Sequence, residues 1–77
     1  MNKRNILLEK LKVESKEDFQ KFRIFAELGI SRTLDQAYKI YYDTAYAVPA
    51  RWKDIAERYR WLARATDYDQ ALQQLSK

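Results

Sequence analysis

The chain has 77 residues with 15 Lys and Arg, 11 Asp and Glu, no His, no Cys, one Gly and one Pro. Without His or Cys there is no zinc site of the usual type, no thiol nucleophile and no imidazole base, and one Gly cannot build a glycine-rich phosphate loop. The net charge of +4 is compatible with nucleic acid, an anionic membrane surface or an acidic partner, and requires none of them.

Residues 4–12 place Ile6, Leu7, Leu8 and Leu11 in a short helical pattern. This reads as an N-terminal helix that is frayed or loosely packed within residues 1–14. Its apolar run stops after three residues, short of a secretory signal, and no apolar run in the sequence reaches membrane-spanning length. A cytoplasmic protein without a membrane partner is therefore expected.

Ser15 followed by Glu17 and Asp18 is a helix-start signal, with a hydroxyl N-cap and two acids at the positive end of the helix dipole. The predicted helix 16–28 puts Phe19, Phe22 and Ala26 on one face, Phe25 at its edge, and Ile24 and Leu28 on another. Gly29 directly follows Leu28 and suits a left-handed C-terminal cap.

Thr33-x-x-Gln36 is a capping box. It opens a predicted helix 34–43 with Leu34, Ala37, Tyr38 and Tyr41 on one stripe. The Tyr38–Tyr42 run has high strand propensity, but a lone strand has no partner, so the helix is preferred. Residues 43–48 form a connection, and Pro49 suits the first turn of the next helix.

From Pro49 onward Trp52, Ile55, Ala56, Tyr59, Leu62 and Ala63 follow a 3.6-residue stripe. Trp61 lies opposite and starts a second seam with Ala65, Tyr68, Leu72 and Leu75. Two seams with different axes predict two helices with a bend near Arg60. One long helix carrying two contact faces is the alternative. The whole chain, 1–77, reads as a single all-α domain, a compact bundle of four to five short helices.

No serine has a histidine to activate it, and the acid pairs Glu17/Asp18 and Asp67/Asp69 have the spacing of solvent-facing helical acids. No enzyme, cofactor or metal is expected. The basic stretch carries more information. Residues 51–64 hold Arg51, Lys53, Arg58, Arg60 and Arg64 against Asp54 and Glu57, interleaved with Trp52, Tyr59 and Trp61. Basic residues at the start of a helix are what major-groove readers present. On the helical wheel, Arg51 and Arg58 flank one edge of the apolar stripe. Lys53, Arg60 and Arg64 flank the other, and Asp54 and Glu57 face outward between them. Long basic side chains in that arrangement also serve to cover an apolar stripe with their stems.

Two stretches resemble a family of small proteins. Residues 19–37, Phe-x-x-Phe-Arg-Ile-Phe-x-x-Leu-Gly-x-x-Arg-Thr-Leu-x-x-Ala, and 59–69, Tyr-x-Trp-Leu-x-Arg-Ala-x-x-Tyr-Asp, are similar to small phage and prophage helix–turn–helix proteins of the terminase small-subunit type. The likeness spans about residues 15–72. It implies that helix 34–43 is the first helix of the motif and helix 49–60 the recognition helix. Arg51 and Lys53 would then stand at its groove-facing start. Trp61, Arg64, Ala65, Tyr68 and Asp69 would belong to a support helix, and oligomerisation would be common. The sequence departs from the family in the connection 43–48, where a short turn with Gly and Ser is usual. A second frame, Phe25–Arg32, also reads as helix, turn and helix start, but with a bulky Phe25 where close packing wants Ala.

The expected function is thus a DNA-binding helix–turn–helix module with Arg51, Lys53, Arg58 and Arg32 on double-stranded DNA. The competing expectation is a helical interaction module, with a protein partner or a second copy docked on Trp61, Ala65, Tyr68, Leu72 and Leu75.

Overall fold

A computed structural model describes residues 8–75. Four helices and no strands occur among the described residues: α1 (Lys16–Glu27), α2 (Leu34–Tyr42), α3 (Ala50–Arg58) and α4 (Trp61–Leu75). The fold is all-α, as the periodicity predicts. Helix α1 packs chiefly against α4 and α2, and α3 closes the bundle against both α2 and α4.

Each boundary has a local cause. The Ser15 hydroxyl accepts from the Asp18 N–H at 3.0 Å, and the Thr33 hydroxyl accepts from the Gln36 N–H at 3.1 Å, satisfying donors that the first turn leaves unpaired. Gly29 adopts φ +88°, the left-handed conformation in which a side chain is strained. Asp43 plays the same part at the end of α2 with φ +51°. Pro49 is the N-cap of α3 rather than its first helical residue, with extended backbone and no side-chain cap.

Residues 59–60 break what would otherwise be one long helix. Arg60 takes φ +54°, a left-handed conformation that costs a non-Gly residue about 1–2 kcal/mol. The break rotates the face presented to the core. Trp52 and Trp61 are both fully buried, although they lie on opposite sides of an unbroken wheel. It also ends the first stripe at Tyr59. Leu62 and Ala63, which an unbroken helix would bury, face outward, with Leu62 67% exposed.

The two indoles form the centre of the core. Their rings meet edge to face at 5.9 Å. Phe22 and Phe25 of α1 lie 6.0 Å from the Trp61 ring, and Tyr38 of α2 meets the Trp52 ring at 5.3 Å. One aromatic chain therefore touches all four helices. Ala26, Ala37 and Ala65, all buried, provide small surfaces for close helix approach. The Nε1 atoms of Trp52 and Trp61 have no hydrogen-bond partner among the described residues. Each unmade bond costs about 1–3 kcal/mol. Burial of about 150–250 Å² of indole contributes about 4–6 kcal/mol at roughly 25 cal/mol per Å², so packing wins.

The expected helix 4–12 is not seen where the structure describes it. Residues 8–14 form a bend and a turn, and residues 4–7 lie outside the described part. The physical reason is side-chain competition for the backbone. The Leu11 N–H donates to Glu14 Oε1 at 3.2 Å, and Lys10 Nζ donates to the Leu11 and Glu14 carbonyls at 2.9 and 2.8 Å. Leu8 is buried as the segment's anchor in the core.

Candidate nucleic-acid interface

Two groups of cations among the described residues bear on the site. Arg32 and Arg64 are drawn inward. The Arg32 side chain is 4% exposed and pairs with Asp69 at 2.5 Å. Its Nε donates to the Phe25 carbonyl at 3.1 Å and its Nη2 to the Ala26 carbonyl at 2.9 Å. These are carbonyls of the last turn of α1, where a guanidinium satisfies orphan acceptors and meets the negative end of the dipole. Arg32 is thereby corrected from a nucleic-acid contact to a clamp joining the end of α1 to α4.

Arg64 makes the second clamp. Its two terminal nitrogens each lie 3.1 Å from an oxygen of Glu14, a bidentate fork on a carboxylate whose side chain is fully buried. The same guanidinium donates to the Tyr59 and Glu9 carbonyls and lies 4.0 Å from the Phe22 ring centroid. It fastens the N-terminal segment and the α3–α4 break to α4. Glu14 carries no sequence signal of this role, because its partner is 50 residues away. Asp69 was legible in the acid pair Asp67/Asp69 and in the 59–69 resemblance, neither of which points to Arg32.

The other population lies on and just after α3. Arg51, Lys53, Arg58 and Arg60 are exposed, and their side chains form no ion pair or hydrogen bond among the described residues. Elsewhere, Lys21, Arg23 and Lys39 each have an acid one helical turn away on the same helix, while Lys12 and Lys16, before and at the start of α1, are exposed and unpaired like the cations of α3. Asp54 and Glu57 are exposed between the cations of α3 and pair with none of them. Arg51 and Arg58, seven residues apart, share one face of α3, whereas Arg60 lies beyond its end in the left-handed break. The start of α3 has no side-chain cap and no acid in its first turn, unlike α1 and α2, which have both.

The connection 43–49 is longer than the three or four residues of a typical helix–turn–helix. It is nevertheless pinned. Asp35 on α2 accepts from the Val48 N–H at 3.1 Å while pairing with Lys39 at 2.8 Å. The Lys39 hydrogen bond, then the Val48 N–H, hold the Asp35 carboxyl below the ordinary carboxylate range against a weaker effect of burial. The Thr44 hydroxyl accepts from the Tyr46 N–H at 3.3 Å.

The seam read from α4 faces inward. Trp61, Ala65 and Tyr68 are buried in the core, Leu72 packs against it partly buried, and Leu75 is 46% exposed. This corrects its role from docking surface to bundle core. Open apolar surface lies elsewhere, at Val13, Ile30 and Ile40 and in a cleft of about 480 Å³ lined by Phe25, Leu34, Ala56, Lys53 and Arg60 among others. Leu62 and Ala63 line the cleft because of the break at Arg60, which is why the sequence pattern concealed it.

Among the described residues no helix is long and apolar enough to cross a membrane. The chain matches no protein-family model, no curated protein and no solved structure. It is a small all-α protein of four described helices that carries an exposed, unpaired basic helix.

Proposed function

We propose that this protein is a DNA-binding module of the helix–turn–helix kind, with α2 and α3 as the motif and α3 as the helix laid against the duplex. The observation that carries this reading is the set of unpaired cations on α3. Arg51, Lys53 and Arg58 stand free on a helix whose start is bare of acids, while Arg32 and Arg64 are each engaged by a carboxylate and backbone carbonyls. Cations in that state are available for phosphate oxygens, and the start of the helix adds a favourable dipole. The resemblance to phage helix–turn–helix proteins points the same way. The outward Asp54 and Glu57 and the longer connection favour binding dominated by phosphate contacts over dense base readout.

Fluorescence anisotropy with a labelled duplex of mixed sequence tests this. Binding at low salt that falls steeply as salt rises is expected, because each neutralised phosphate releases counterions. Absence of binding at low salt would refute it, as would binding indifferent to Arg51→Ala combined with Lys53→Ala.

The apolar cleft supports a second reading, a helical protein-interaction module. Its lining includes Phe25, Leu34, Ala56 and the 67%-exposed Leu62, an apolar make-up shared with the centres of protein interfaces. Association with a protein partner, or with a second copy in an oligomer, should then be abolished by Leu62→Asp while duplex binding persists. Sedimentation as a monomer at high concentration would argue against the second copy.

A further inference from the structure

Tyr46 is 77% exposed, and it is unlike the other tyrosines of its neighbourhood. Tyr38 and Tyr41 pack on Trp52, and Tyr42, though 44% exposed, lies between 4.8 and 6.1 Å from the rings of Tyr38, Tyr41 and Trp52. Tyr46 has no ring partner among the described residues. Its backbone, by contrast, is well held. Asp43 turns the chain in the left-handed conformation, the Thr44 hydroxyl accepts from the Tyr46 N–H, and Asp35 fixes the Val48 N–H two residues later.

The loop therefore presents a large side chain to solvent from an ordered frame, a common arrangement for binding residues on loops held by rigid elements. Tyr46 is also tethered near the start of α3 by the short connection. Pro49 at the start of α3 follows it by three positions, so their Cα atoms lie within about 11 Å of each other at the chain's greatest extension. The same bound places it within about 18 Å of Arg51. A ligand surface lying along the start of α3 comes within reach of the phenol.

We infer that Tyr46 is a further nucleic-acid contact, its hydroxyl donating to a phosphate oxygen near the start of α3, where Arg51 would meet the backbone. This rests on the DNA-binding reading above. Tyrosine hydroxyls are ordinary phosphate donors. A neutral donor differs from a cation in one measurable respect: it contributes affinity without displacing a counterion. The dependence of affinity on salt is set by the cations alone. A loop whose backbone is already fixed by Asp35 and Thr44 leaves only the side chain to be ordered at the moment of binding.

The test is a salt series of duplex titrations on the full chain with Tyr46→Phe, Tyr46→Ala and Arg51→Ala, with circular dichroism to check folding. Both Tyr46 variants should weaken binding by roughly three- to tenfold, the scale of one hydrogen bond, with the slope of log K against log salt unchanged. Arg51→Ala should lower that slope by about 0.9. Wild-type affinity in Tyr46→Phe would overturn the assignment, including the case where only Tyr46→Ala loses affinity, since the ring alone would then be in contact. In those cases the Arg51 effect still upholds the DNA-binding reading. If the wild-type chain fails to bind at low salt, both fall.

Discussion

Arg32 and Arg64 share a charge with Arg51 and Arg58 but not a situation. The first pair are enclosed, each with a carboxylate from a distant part of the chain and with backbone carbonyls beside it. The second pair stand in solvent without partners among the described residues. The difference is one of burial and partner supply. A guanidinium taken out of water needs every donor met, and a partner removed from such a site leaves an uncompensated charge. An exposed guanidinium needs nothing from its own chain, which leaves it for another molecule. Composition registers all four as the same positive charge, and their roles separate only in three dimensions.

That contrast can be broken by substitution. Arg64→Ala should have the largest effect, a loss of about 3–5 kcal/mol in urea denaturation, because it strands the Glu14 carboxylate inside the protein. A double variant, Arg64→Met with Glu14→Leu, should recover most of that loss, since apolar replacement of a buried ion pair is often neutral. If the double variant were as unstable as the single one, the missing carbonyl bonds rather than a stranded charge would be the cause. Arg32→Ala should cost about 2–3 kcal/mol, through the Asp69 pair and the uncapped carbonyls of α1. Its readout is the thermal midpoint together with faster amide exchange at the end of α1.

On the exposed side, Arg58→Ala should change stability by no more than about 0.5 kcal/mol, and a larger shift in the denaturation midpoint would place it among the clamps. The smallest effect concerns Asp35. Its carboxyl titrates below the ordinary range, with Lys39 as the main cause. A depressed carboxylate stabilises the fold above its unfolded value and loses that contribution as pH falls through the folded one. Amide exchange at Val48, corrected for intrinsic pH dependence, should therefore lose protection only in strong acid. In Asp35→Ala the protection should be reduced at neutral pH.

The helices were legible because their signals are local. Ser15, Thr33 and Gly29 mark ends through chemistry confined to a few residues, and the stripe Leu34, Ala37, Tyr38, Tyr41 needs only helical spacing. The break at Arg60 was legible for a subtler reason: Trp52 and Trp61 cannot both face one core on an unbroken helix. The clamps were not legible. Arg32 and Asp69 are 37 residues apart and Arg64 and Glu14 are 50 apart, and no local pattern announces such a pairing. The same limit made the Trp61–Leu75 seam look outward. A periodic apolar stripe specifies that a face will be covered, not what covers it. Here α1 covers it, with Leu75 left at the rim. The candidate interface was legible as a cluster of charge, but the removal of Arg32 and Arg64 from it into clamps required the fold.

If the cations of α3 bind DNA phosphates and take no part in holding the fold together, stability and duplex affinity must respond separately to their removal. Both quantities measured side by side on a chain combining Arg51→Ala, Lys53→Ala and Arg58→Ala test this most directly. The urea midpoint should stay close to that of the parent, and the salt slope should fall by about 2.7, which is about 0.9 for each phosphate no longer neutralised. An unchanged slope, or a chain that no longer folds, would contradict the proposed role of α3.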